Sequence, residues 1–468
     1  MKQTFSIAIL IFFVAVLNAQ QKQTWYNIIG SAFVDNDSYR VLGRLCDETG
    51  GRLMGTPGNL KAMDILAEEL QKHDINYKRE KIKVPGWVRG DDEVILKSPV
   101  EKKLKAIALG YVNPLAAAKS NVVYAQYGFD EDYSGISVNG KIVLVTQENP
   151  KGKEALLRYE AIDIAAKHGA IAILFINTKT GAQNLAGTGN FQGDPTPIPA
   201  FSLTYEEGKW LQRLLEKNIQ VEIEVTSRSY CVEMESANTV VTFPGKSDEK
   251  IVVGAHFDSW DLGQGGIDNG IGTAILFDVA RLIQNFSKEN YYTIELVWFN
   301  GEELGLWGSK KYVEMHKDDK IKAMINMDMT GSPTGFNAMG IDELIPFLTE
   351  LNEKLIGFNL KSGVVNSPWT NSDHMPFMFA GVPTITLQAH LDEEMHKYYH
   401  EAGDTFDKVN KKYLSEAAAV ITLLTSELAN NSKLEINKRT DDEMITLFKK
   451  YNLDKRLKKQ KEWIYEKD

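Results

Sequence analysis

"GAHFDSWDLGQGGIDNGIG", residues 254–272, follows the apolar run "KIVV" and holds one histidine, three aspartates and six glycines. The apolar run reads as a buried strand, and "GTAILFDVARLIQNF" behind the quoted stretch reads as a helix. Open α/β sheets bind ligands at such strand-to-helix turns, on the carboxyl edge of the strands. The stretch therefore raises one question. Either its acids are solvated loop residues, or they converge on a positive charge.

The pattern recurs along the chain. "TIELVWFN" is followed by Glu302 and Glu303, "AMINMD" ends in Asp328, and "VPTITLQA" is followed by the loop "YYHEAGDT" with His400. Continuous apolar strands alternating with helices predict an α/β fold, a mixed and largely parallel central sheet with helices on both faces. His256, Asp268, Glu303, Asp328 and His400, with Glu302 beside them, then map to one edge of that sheet. Singly, each has an ordinary explanation: Asp268 as a turn residue or helix cap, Glu302 and Glu303 as partners of a helix macrodipole. Together they would carry a heavy desolvation cost unless they bind a cation.

The rest of the chain narrows the chemistry. Its 468 residues exceed one ordinary domain, and the net charge of −10 argues against a nucleic-acid partner, which needs a basic face. Cys46 and Cys231 are the only cysteines, so a thiolate cluster is excluded and any metal must use His, Asp and Glu. "MKQTFSIAILIFFVAVLNAQ" has the order of a secretory signal peptide, residues 1–19, which predicts a secreted or periplasmic protein with no membrane contact after cleavage. Residues 20–118 are assigned to the N-terminal part of the main domain and 119–235 to an inserted α/β unit. Residues 236–430 are assigned to the second part of the main domain, which carries the charged strand ends, and 431–468 to a charged, solvated tail.

With these residues in place, "HFDSWDLGQGGIDNGIG", "GEELGLWGS", "INMDM" and "HEAGDT" resemble the motifs of the co-catalytic zinc exopeptidases. That family includes bacterial leucyl-type aminopeptidases, glutamate carboxypeptidase II and carboxypeptidase Q. "ETGGRLMGTPGNLKAMDIL" and "VPGWVRG" are similar to the carboxypeptidase Q-like members, and the insert resembles a protease-associated domain. The resemblance implies two zinc ions per chain, one on His256, Asp268 and Asp328 and the other on Asp268, Glu303 and His400, with Asp268 bridging. It implies Glu302 as general base toward a bridging water, and Asp258 as the group that fixes the ring of His256. Asp404 would do the same for His400. A cis peptide at Asp268–Asn269 is implied as well. Ser372, Asp373 and His374 are candidate pocket residues, and Tyr398 and Tyr399 candidates for polarising a carbonyl. His390 and His396 are expected on a solvated helix.

The direction of cleavage is less legible. A carboxypeptidase needs a cation for the substrate carboxylate, ideally an arginine fork. Between Ile251 and Asn430 the only arginine is Arg281, in a helical context that looks structural, although Arg158, Arg213 and Arg228 of the insert could reach the site. The expectation is an aminopeptidase or dipeptidase acting on peptides, with a carboxypeptidase Q-like activity as the alternative. A one-zinc glutaminyl cyclase, a non-enzymatic peptide-binding protein and a homodimeric assembly stay open.

Overall fold

The computed structural model describes residues 20–287 and 289–465; the leader expected over residues 1–19 lies outside them. Among the described residues no helix is long and apolar enough to cross a membrane. Cys46 and Cys231 are both free.

Two eight-stranded sheets organise the chain. The first runs in the order Lys78–Val88, Tyr230–Phe243, Tyr292–Phe299, Ser247–His256, Ile321–Asn326, Thr384–His390, Ser332–Asn337, Gly363–Val365. Its four middle strands, Tyr292–Phe299 to Thr384–His390, are parallel, and the strands flanking them pair antiparallel. Helices Ile271–Phe286 and Lys411–Asn430 cover one face, and Trp307–Met315 with His374–Phe379 the other. The helix Ile271–Phe286 is buried on every side through Ile283, as its nearly continuous apolar sequence requires. This is the mixed, two-faced α/β architecture that the apolar strands predict.

The second sheet belongs to the insert and has its own apolar core. It takes in the strands Glu93–Ser98, Lys102–Lys103 and Ala106–Ala108, which the sequence reading had left with the main domain. The reason is a long-range antiparallel register, Glu93–Ser98 against Glu222–Ser227, that no local pattern reveals. The insert is carried on a ribbon in which Lys78–Val88 pairs along its whole length with Tyr230–Phe243.

The C-terminal segment corrects another expectation. Rather than a solvated appendage, it folds into helices Asp441–Lys450 and Leu453–Lys459, which bury Met444, Phe448 and Leu457 against Leu306, Met339, Met375 and Met378. Its many charges occupy the outer faces of short amphipathic helices.

Candidate metal centre

The parallel strands end together, and their ends carry the charged residues. His256 closes Ser247–His256, Glu302 and Glu303 follow Tyr292–Phe299, and Asp328 follows Ile321–Asn326. Asp268 Oδ1 lies 3.2 Å from His256 Nε2, and Asp268 Oδ2 lies 3.1 Å from His400 Nε2. His256 Nε2 is also 3.5 Å from Asp328 Oδ1, and His400 Nε2 is 3.1 Å from Glu303 Oε2. All five candidate ligands are thus joined through the two oxygens of one carboxylate. One donor atom each from His256, Asp268 and Glu303 lies within 4.8 Å of the others.

Electrostatics marks the cluster as incomplete. Burial pushes the Glu302 carboxyl well above its ordinary pKa, and the nearby Glu303 and Asp328 push it further. Burial likewise raises Glu303 to about 7. Burial opposes charge on the histidines, yet Glu302, Asp268 and Asp328 outweigh it at His256, and Glu303 and Asp268 raise His400 to about 10. Asp268 is buried, which disfavours its charge, but the two imidazoles hold it well below the usual carboxylate range. Crowded carboxylates of this kind are relieved only by positive charge, from protons or from a metal ion. Glu303 Oε1 is buried with no hydrogen-bond partner among the described residues, so it is free to serve as a ligand atom. Imidazole nitrogen and carboxylate oxygen together form a donor set suited to zinc.

Two acids act differently from the expectation. Asp258 does not bond the far ring nitrogen of His256 through its carboxylate, whose Oδ1 is 3.9 Å away; its backbone carbonyl faces Nδ1 at 3.1 Å instead. The Asp258 carboxylate accepts from the backbone N–H groups of Gly301, Glu302 and Glu303 at 2.9, 3.0 and 3.3 Å. It fixes the loop that presents both glutamates. Asp404, expected at His400, accepts from the N–H groups of Ile267 and Asp268 at 2.6 and 3.0 Å. In both places the carboxylate satisfies orphan backbone donors at a strand-to-helix turn, a stronger demand than orienting an imidazole. The Asp268–Asn269 peptide is cis, as the resemblance implied. Asn269 ties this turn to the strand of Asp328 by donating to the Met327 carbonyl and accepting from the Met329 N–H.

Arg52 is a residue whose role sequence reasoning missed. It is fully buried and donates to the carbonyls of Phe257, Gln264 and Gly265 at 3.2, 2.6 and 2.8 Å, bracing the quoted stretch from behind. Gly265 has φ +58°, and a Cβ there would lie 2.2 Å from the Ser259 side chain, so the turn needs glycine. The signal was present in "GGRLMGTPG", an arginine among glycines, but its partners lie some two hundred residues away.

The cluster opens into a cavity of about 830 Å³, lined on one side by the metal-ligand candidates and on the other by the insert. The insert touches the centre directly, since the Ala186 N–H donates to the His400 carbonyl at 3.0 Å. Tyr399 lines the cavity, its ring stacked on His400 at 3.8 Å, whereas Tyr398 packs against the main core. Ser372, Asp373 and His374 sit behind the cavity and do not line it. His374 bonds the Trp369 carbonyl at 2.9 Å, and burial lowers its pKa to about 4. Ser372 accepts from Asn326, and burial raises Asp373 to about 7. His390 is exposed beside Asp392, while His396 lies at the cavity rim. Arg281 is structural, paired with Asp278, Asp35 and Asp37. Of the three insert arginines, Arg158 alone reaches the cavity.

Comparison with known proteins is consistent with this geometry. Residues 238–425 match the model of peptidase family M28, and residues 111–211 match the PA domain. The chain is 28% identical to carboxypeptidase Q of Mus musculus over 418 residues, 85% of this chain and 87% of that one. A peptidase M28 precursor from Shewanella amazonensis superposes with a TM-score of 0.76 at 25% identity, covering 90% of this chain and 98% of that one. A zinc aminopeptidase from Bacillus subtilis shares the fold, with a TM-score of 0.69 at 23% identity and coverage of 85% and 95%.

Proposed function

We propose that the chain, whose residues 238–425 match the model of peptidase family M28 and residues 111–211 that of the PA domain, is an exported di-zinc exopeptidase that hydrolyses peptide bonds at the N-terminus of peptides or in dipeptides. The observation that carries this reading is the double contact of Asp268, whose two oxygens face His256 and His400. His256, Asp268 and Asp328 would hold one ion, and Asp268, Glu303 and His400 the other. Bound there, the ions would supply Lewis acidity toward the scissile carbonyl and make water acidic enough to react near neutral pH.

The chain's own groups do the rest. Glu302 lines the same cavity beside the candidate ligands, a position from which its carboxylate would take a proton from the attacking water and return it to the leaving amine nitrogen. Asp258 orients it through the backbone N–H bonds described above. Apart from Arg158, no lysine or arginine lines the cavity among the described residues, while Asp268, Glu302, Glu303 and Asp328 do. Such a wall favours a free ammonium group on the substrate. The test compares free with N-acetylated dipeptides and tripeptides. Free peptides are expected to be cleaved and blocked ones spared, with activity lost on chelation and restored by zinc. Equal cleavage of blocked peptides would remove the aminopeptidase reading.

Arg158 favours the carboxypeptidase Q-like alternative. It donates to the Ala186 carbonyl at 3.2 Å, and no carboxylate lies within ion-pair distance of it among the described residues. A guanidinium in this position could receive a substrate carboxylate. Comparison of dipeptides with their C-terminal amides separates the two readings: indifference to amidation supports the aminopeptidase, and loss of cleavage supports the alternative.

A further inference from the structure

The C-terminal segment reaches the cavity itself: Gln460 and Glu462 are among its lining residues. After the helix Leu453–Lys459 the chain runs between the insert and the catalytic half and is bonded to both. Toward the insert, the Lys459 carbonyl accepts from the Tyr159 hydroxyl, and the Gln460 carbonyl accepts from Gln192 Nε2 at 2.8 Å. Lys459 Nζ pairs with Glu160 at 3.4 Å, and Lys461 Nζ sits 4.5 Å above the Tyr159 ring. Toward the catalytic half, Gln460 Nε2 donates to Asn371 at 3.1 Å, Glu462 pairs with Lys310 at 3.0 Å, and the Tyr465 hydroxyl donates to the Phe379 carbonyl at 3.1 Å. Trp463 and Tyr465 pack on Phe448, which anchors the strap in a buried apolar cluster.

We propose that this strap, residues 459–465, sets the length of peptide the site accepts, closing one end of the cavity so that dipeptides and tripeptides are favoured over longer chains. The proposal rests on the exopeptidase reading and deepens it. The insert meets the catalytic half through the ribbon and through bonds such as that of the Ala186 N–H to the His400 carbonyl. Beside the cavity the strap adds a covalently continuous segment hydrogen-bonded to both walls, and a longer peptide running past it would have to displace those bonds. The cavity, about 830 Å³ and partly open to solvent, has the volume of a small-ligand pocket. Glu462 is matched by Lys310 and Lys459 by Glu160, while the ammonium of Lys461 lies over the Tyr159 ring.

The experiment measures kcat/KM for a dipeptide and for a pentapeptide with the same N-terminal residue, on the full chain and on two variants. One variant ends at Lys458. The other carries Gln192→Ala and Lys459→Ala, which remove insert contacts while leaving the apolar anchor intact. The pentapeptide-to-dipeptide ratio is expected to rise about tenfold or more in the truncated chain and in the same direction in the double variant. Should the truncated chain fail to fold, the double variant decides. A folded variant with the parent's ratio overturns the strap proposal alone. Absence of hydrolysis of both peptides by the full chain overturns the exopeptidase reading and the strap proposal with it.

Discussion

The two sheets end their parallel strands in opposite ways. In the insert, Ile142–Thr146, Ala172–Ile176 and Ala200–Leu203 are buried throughout and end in neutral polar residues that satisfy their own turns. Thr146 accepts from the Glu148 N–H, Asn177 donates to the Gln183 carbonyl, and Thr204 caps the next helix by accepting from the Glu207 N–H. In the catalytic sheet the equivalent edge carries Asp328 together with His256, Glu302 and Glu303, and burial and charged neighbours displace the pKa values of the last three. Both sheets solve the same backbone problem. Charge at a strand end is therefore not a requirement of the fold, and where it accumulates it answers to chemistry.

Four substitutions break or sharpen that contrast. Glu302→Gln removes the acid–base group while keeping its size, and peptide turnover is expected to fall by about 10²–10⁴-fold with zinc content unchanged; steady-state kinetics beside metal analysis checks both halves. Arg52→Ala strips the donor from three carbonyls behind the catalytic edge, two of them buried. It is expected to cost about 3 kcal/mol or more in denaturant unfolding and to weaken zinc retention.

Asp278→Asn asks whether burial alone, away from the strand ends, displaces a carboxylate. Burial raises Asp278 from 3.8 to about 7 despite Arg281 beside it. A raised acid binds its proton more tightly when folded, so its contribution to stability falls as pH rises from 3.8 to about 7 and is flat above. The variant is expected to flatten the stability curve across that window. The smallest effect belongs to the insert: Thr204→Ala removes a helix cap, costing about 1 kcal/mol in unfolding free energy, with activity unchanged. A large loss of activity there would dissolve the distinction between the two edges.

Of the proposed ligands, His256, Glu303 and Asp328 stand at or just beyond apolar runs, so strand periodicity and residue chemistry point to one edge, whereas Asp268 and His400 lie in loops farther on and were named with them through the resemblance of their motifs. What the acids bond to was not. Asp258 and Asp404 were expected to hold imidazoles but hold backbone N–H groups, because the geometry of a turn is decided by partners distant in sequence. Arg52 was hidden for the same reason, its partners lying about two hundred residues away, while Arg158 was named as able to reach the site but could not be told from Arg213 and Arg228. The tail misled through its composition. Its buried residues, Met444, Phe448 and Leu457, are few and spaced along two short helices, so that charge dominates any window of sequence.

The central claim is that Asp268 is shared between two metal ions. Diffraction from zinc-loaded crystals, collected on either side of the zinc absorption edge, tests it most directly. The account predicts two anomalous peaks flanking Asp268, one beside His256 and Asp328 and the other beside Glu303 and His400. A single peak, or none among these five residues, would contradict it.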